Sequence, residues 1–307
     1  MEIKGILVSV LAPFENHIAN GGEKLLGNAS SIKRRPDGRV YVSGQMQRHV
    51  LFSAIDRLNL SDPNKGETFV SNGDGISNLI EKDLRADMGG FMHPSKGDYS
   101  GRRTAPVSVT PAVAIGESEV GRDLLVRIRL DQNDDAKDQA LATKEFSEYD
   151  LMHMNFFLDI SALSISKAFK YEHSFNLETK YYKHAAPKER KRRARLYLEA
   201  TKSMNDYASQ ARNAVSGEPQ KVLIVFDTIL SRKASRYFVA DEVEQKNIFA
   251  EFKDRNAVYF LGDDKTEKSV FQAYKEALSF LDNAANSLYD PSGDSPVKTF
   301  QEAFGRE

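Results

Sequence analysis

The segment from Val40 to His49, VYVSGQMQRH, running on as VLFSAIDRLN, constrains the fold more than any other part of the chain. An extended Val-Tyr-Val run turns at once into a helix. Ser43 carries the side-chain oxygen an N-cap needs, and Val50, Leu51, Ala54, Ile55 and Leu58 recur at helical spacing on one face. Gly44 sits where the backbone can approach a ligand, and Gln45 and Arg48 share the face away from the apolar stripe. A helix start presents unpaired N–H groups and the positive end of the helix dipole, so an arginine one turn in suits the turn to phosphate. The ligand class that follows is a nucleotide or a nucleic acid.

The remaining segments arrange themselves around this turn. Gly5 to Phe14 reads as a buried strand, and Asn16 to Gly38 as a long loop punctuated by Gly21, Gly22, Gly27 and Pro36. Residues 60–101, rich in Gly, Asp and Ser, are expected to form an irregular insertion used for binding. From Arg103 to Ile115, Ala105, Val107, Val109, Val113 and Ile115 alternate with small or polar residues, while Pro106 and Pro111 make this an edge or interrupted strand. Leu124–Leu130 and Leu151–Ile160 flank the polar turn DQNDDAKD, which predicts an arm over residues 116–150. Met152, Met154, Phe156, Leu158 and Ile160 face the core, and Phe157, on the opposite face, is a candidate for stacking a base. Pro187 opens a helix from about Lys188 to Ala211, Val222–Leu230 suits a central strand, and a strand at Ala257–Leu261 and a helix from about Thr266 to Ala284 close the chain. Strand, helix, strand, strand, helix, strand is the ferredoxin-like order shared by RNA-recognition domains. The fold class predicted is α+β, one ferredoxin-like core with large insertions over residues 1–307.

Charge tells more by its distribution than by its sum. Forty-three Lys and Arg stand against 44 Asp and Glu, a net charge of −1, where nucleic-acid binding calls for local surplus. The surplus is local: Lys33, Arg34, Arg35 and Arg39, then Arg102 and Arg103, then Lys188 through Arg195. Acids gather at Asp131, Asp134, Asp135 and Asp138, so the basic run of the later helix is expected either to guide nucleic acid or to dock such an acidic turn on a neighbouring copy. The chain has no Cys, which removes disulfides, thiolate catalysis and Cys-ligated zinc. No run approaches the ~18 apolar residues of a membrane span and the N-terminus lacks a signal-like region, so a soluble, cytoplasmic protein is expected, with no membrane partner.

Catalytic patterns are sparse. Gly22 to Gly27 lack the Lys-Ser/Thr that a phosphate-binding loop requires, no HExxH occurs, and His17 and Asn20 read as hydrated loop residues. No catalytic residue, metal or cofactor is predicted. Asp37 and Asp87 are the loop acids on which an RNA-cleaving alternative would rest, and a nucleotide-binding regulator built on the Ser43 turn is a third reading.

The apolar first strand, the Asn/Gly loop ending in Lys33, Arg34 and Arg35, the YVSGQ-x-x-R turn, and the later RRTAPVSVTPAVAI and TKEFSEYDLMHMNFFLDI follow one another in an order that resembles the CRISPR Cas-seven family of DevR type. That resemblance implies a palm like an RNA-recognition domain carrying a thumb-like β-hairpin, and a non-catalytic subunit that polymerises along guide RNA in a Cascade complex. The implied partners are CRISPR guide RNA, target DNA, further copies of the chain in a helical filament, and other Cascade subunits. The RNA-binding positions it implies are Lys33, Arg34, Arg35, Ser43, Gln45 and Arg48, with Arg102 and Arg103 as further candidates.

Overall fold

A computed structural model describes residues 1–25, 29–73, 77–92, 102–129, 138–173 and 175–305. Its core sheet is assembled from distant parts of the chain, in the spatial order Val258–Asp263, Lys221–Asp227, Gly5–His17, Asp138–Asp159, and finally Val107–Val109 with Ala112–Ala114. Each neighbouring pair is antiparallel. Without the edge strand Val258–Asp263 this is the ferredoxin-like arrangement, and the helices Gly44–Ser61 and Pro187–Ala200 fill its two crossovers.

Period-two alternation decides which side chains enter which layer. Met152, Met154, Phe156, Leu158 and Ile160 are at most 1% exposed and meet Val50, Leu51 and Ile55 of the first helix, together with Tyr197, Tyr274 and Leu281 from the later helices. The opposite face is covered as well. Leu7, Phe157, Leu223 and Val225 pack against Ala234, Ile248 and Phe252, supplied by the 3-10 segment Lys233–Val239 and the helix Glu242–Asp254. The sheet is therefore the middle of three layers, and that last helix has no counterpart in the expected element order.

Several expected boundaries move. The first strand runs on to His17, and inside the expected long loop Gly22–Lys24 pairs with Ser30–Ile32. The alternation after Arg103 is broken at Thr110 and Pro111: Thr110 gives its N–H to the Asn155 carbonyl at 2.9 Å and its Oγ1 accepts the Asn155 N–H at 3.1 Å. One residue is thereby used up and the phase inverts, so Ala112 and Ala114 face the core while Ile115 is 40% exposed. The basic helix stops at Ala200 instead of Ala211, because Met204 and Tyr207 turn inward and Ser203, Asn205 and Asp206 bind Arg57. Within residues 60–101 the chain forms the helix Leu84–Gly89, capped by Asp83, and the strand Phe91–Met92.

Two hairpins leave the core. In one, Asp138–Asp159 extends past the sheet and pairs with Val120–Arg129, the register passing from the first strand to the arm at Ser147. The other, Ile165–Glu172 with Phe175–Lys183, has no counterpart in the sequence pattern and exposes Phe175 and Leu177. Among the described residues no helix is long and apolar enough to cross a membrane.

Candidate nucleic-acid interface

At the sheet edge Tyr41–Val42 pairs with Ala112–Ala114 and feeds directly into the first helix. The Ser43 Oγ accepts the Met46 N–H at 3.2 Å, which is the expected cap, and the Ser43 N–H donates to Asn20 Oδ1 at 3.0 Å. Ser43 is thus a builder of the turn. Gln45 stays exposed beside it, while Gln47 points inward to the Tyr207 hydroxyl. A Cβ added at Gly44 would come no nearer than 3.8 Å to any neighbour, so packing does not require glycine there.

Arg48 lies half-buried on the helix, its guanidinium 5.6 Å from the Phe52 ring and donating to the Gly89 carbonyl. A Cβ at Gly89 would stand 2.7 Å from Arg48 Nη2, so a side chain there would displace the guanidinium. Burial draws the Arg48 pKa below the usual arginine range. Arg48 opens onto a cleft of about 280 Å³ that Ser71, Asp83, Arg85 and Gly90 also line.

The basic loop is held as a tight turn. The Arg35 N–H donates to the Arg39 carbonyl, the Gly38 N–H returns to Arg35, and Gly38 takes a φ of 81°. Arg34 reaches Glu145 on the arm at 3.6 Å, Arg39 pairs with Asp37, and the Lys33 carbonyl accepts the Tyr41 N–H. Loop and turn are contiguous, but their cations diverge: Arg34 faces the arm root and Arg48 faces the helix Leu84–Gly89. Arg122, which no local pattern marks, joins Arg34 on Glu145 at 3.1 Å. Only the cross-strand register of the arm, Arg122 opposite Glu145, brings it there.

Other candidates lie elsewhere. Arg103 is 6% exposed, ion-paired with Asp87 and donating to the Ile165 and Ala162 carbonyls, so its guanidinium belongs to the interior. This corrects the expectation of a phosphate contact from Arg103: an acid of the insertion takes that place. The backbone of Arg102 pairs with Met92, and its side chain lies outside the described residues, as does the turn bearing Asp131, Asp134 and Asp135.

Three arginines of the basic helix are likewise turned inward. Arg193 is fully buried against Asp87 and Glu189, Arg190 donates to the carbonyls of Leu163, Ile160 and Tyr289, and Arg192 is held by Glu189 and Asp62. For Arg190, Arg192 and Arg193 neither a solvated face nor a nucleic-acid guide fits, because these guanidiniums satisfy carbonyls and acids at the junction of insertion, second hairpin and C-terminal segment, while Lys188 stays exposed. Asp87, fully buried between Arg103 and Arg193, is in no position to serve a reaction. Phe157 is 9% exposed with the Arg232 guanidinium 4.7 Å from its ring, so no base stacks there. His17, expected to be hydrated, is fully buried on Asp150 at 2.7 Å.

A family model described as CRISPR-associated negative auto-regulator DevR/Csa2 matches residues 29–216. No match appears among curated protein sequences. Among solved structures, a chain of a CRISPR RNA-guided surveillance complex is 15% identical with a TM-score of 0.51, the alignment covering 95% of each chain. A chain of a CRISPR RNA-guided surveillance complex in a pre-nicking state is 12% identical with a TM-score of 0.51, over 93% of this chain and 96% of that one. At such identities the likeness speaks for the fold, and it runs nearly end to end. With a family match over well over half of its length, the chain belongs to the CRISPR-associated DevR/Csa2 family.

Proposed function

We propose that the chain is a non-catalytic subunit of a CRISPR RNA-guided complex, binding guide RNA by its backbone and repeating along it, so that the bases stay open to pair with target DNA. The observation that carries this reading is the combination of the family match with a fold likeness, over nearly the whole chain, to chains of surveillance complexes. The surface supports it. Lys33, Arg34, Arg35, Arg39 and Arg122 gather between the basic loop and the arm root, and Gln45 and Arg48 lie on the adjoining helix. Lysine, arginine, glutamine and helix N–H groups position phosphate without reading sequence, as a subunit accepting any guide must do.

Replacing Lys33, Arg34, Arg35 and Arg48 together by Ala tests this track. RNA binding at moderate salt should weaken, and the plot of log affinity against log salt should become shallower, because fewer counterions are released. An unchanged affinity with an unchanged slope would place the RNA on another surface.

A further inference from the structure

At the root of the arm the chain buries a carboxylate between two donors that belong to different elements. Asp150, on the long strand, is 3% exposed; its Oδ2 accepts from His17 Nε2 at 2.7 Å and its Oδ1 accepts from the Ser118 hydroxyl. His17 ends the first strand of the core sheet, and Ser118 stands just before the outgoing strand of the arm. Ser118 Oγ also accepts the Val40 N–H at 2.9 Å, the last residue of the basic loop before the Tyr41–Val42 strand. On the other side, His17 Nδ1 receives the Ala19 N–H at 3.4 Å, and the next residue, Asn20, accepts the N–H of the cap residue Ser43. With Nδ1 as acceptor, Nε2 carries the proton given to Asp150.

This network sits at the root of the arm, beside the small apolar cluster of Ile18, Ile32 and Val40 with Val120 and Phe146. Before Ser147 the long strand pairs with Val120–Arg129 on one edge and meets the short strand Ser30–Ile32 at Lys144 on the other, and from Ser147 onward it pairs with the first strand, so among the described residues the arm beyond Lys144 continues as two strands. A two-stranded ribbon has little stiffness of its own. We propose that Asp150, acting through His17 and Ser118, sets the angle of the arm relative to both the sheet and the basic loop, and so holds Arg34 and the arm's Arg122 at a fixed spacing for RNA. Asp150 is thus a positioning residue that touches no ligand. The first part of this statement concerns the free protein; only the consequence for RNA rests on the function proposed above.

The absence of cysteine allows a direct measurement. Spin labels at Leu124→Cys on the arm and Lys275→Cys on the last long helix report the arm-to-core distance distribution in the unliganded protein. Both positions are exposed. The reference protein should give one narrow distribution. Asp150→Ala should broaden or shift it, while Asp150→Asn should keep it narrow, since an amide oxygen still accepts from His17 and its N–H₂ can donate to Ser118 Oγ. Should Asp150→Ala fail to fold, Ser118→Ala removes the arm's leg of the network and is expected to broaden the distribution in the same way. In unlabelled protein, Asp150→Ala should bind RNA about tenfold less tightly, with Asn restoring binding, because pre-organisation is lost without loss of a contact. A distribution unchanged by both Asp150→Ala and Ser118→Ala overturns the positioning role. A reference protein that binds no RNA overturns the functional reading and leaves the distance result standing.

Discussion

Removal of the Asp87 carboxylate should be the most damaging single change in the chain. Both oxygens are committed: Oδ1 to Arg103 and to the Ser164 N–H at 2.8 Å, Oδ2 to the Ser164 hydroxyl at 2.6 Å and to Arg193 Nη1 at 2.7 Å. Substitution by Ala leaves two buried guanidiniums facing a void and an unsatisfied backbone N–H. Breaking a buried ion pair from one side costs about 3–5 kcal/mol, and an orphaned buried donor about 1–3 kcal/mol. The arginines keep part of their support, Arg193 from Glu189 and the Ile80 and Glu81 carbonyls, Arg103 from Ile165 and Ala162. We therefore expect about 4 kcal/mol rather than the full sum, a large share of the ~5–15 kcal/mol by which a domain is stable. Urea unfolding followed by far-ultraviolet circular dichroism measures it, in a cycle with Arg193→Met and the double variant. The double variant should be less damaged than the two singles added together, since the charge left behind is what destabilises. A loss below about 1 kcal/mol, or strict additivity in the cycle, would refute the view of Asp87 as the charge that holds insertion and basic helix together.

Acidity should act on the same junction in two windows. Burial first, and Arg103 second, push the His184 pKa down from 6.5 to about 4, so stability is complete above pH 6.5 and is lost as pH falls toward 4. That loss is about 3 kcal/mol by linkage, and His184→Gln should flatten it in urea midpoints taken across this range; an equal slope in the variant excludes His184 as its source. Below that window Asp87 takes over: burial raises its carboxyl, but Arg103 and Arg193 outweigh burial and hold it below the usual range, so its contribution, present above the ordinary value of 3.8, disappears only at lower pH. Unrelated guide sequences of equal length should compete for the protein nearly equally, and a preference of several kcal/mol in a competition assay would contradict backbone recognition, given that one well-read base is worth about 1–3 kcal/mol.

What the residues announce, and what they conceal, has a physical pattern. The core face of the long strand was legible because alternation is a local rule, and Met152 to Ile160 obey it without a break. The same rule failed after Thr110, where a threonine hydroxyl and N–H bonded to a strand more than 40 residues away reset the phase. The helix Glu242–Asp254 buries only Ile248 and Phe252, too thin a stripe to stand out from a charged segment. The run KERKRRAR looks like a surface because arginines are rarely buried; its partners, Asp87 and the 160–163 carbonyls, are contributed by remote segments that no local window contains. Ser43 and Arg48 were legible as a capped turn with a cation, whereas Arg122 depended on a hairpin register that composition does not determine.

These buried arginines alter what a net charge of −1 means for RNA binding. Arg103, Arg190, Arg192 and Arg193 are consumed inside, Arg255 is held by Asp227, and Arg195 by Glu199 and Asp282, so among the described residues these arginines add nothing to the track at the loop and arm root. Within that track, Arg34 and Arg122 share Glu145 and Arg39 is paired with Asp37. If about four phosphates are contacted per copy, the salt slope for single-stranded RNA is about −3, which corresponds to loose binding at physiological salt. Adjacent copies on one RNA gain from effective concentration without any new contact to phosphate. Affinity per copy should therefore climb as RNA lengthens from one footprint to several, with sigmoidal isotherms and a salt slope that grows in step with the number of copies bound. Anisotropy titrations on a length series, with sedimentation to count copies, measure both quantities. Equal affinity for the shortest and longest RNA, with a slope independent of length, would mean that single copies bind tightly by themselves, and the track at the loop and arm root would be too small to account for it.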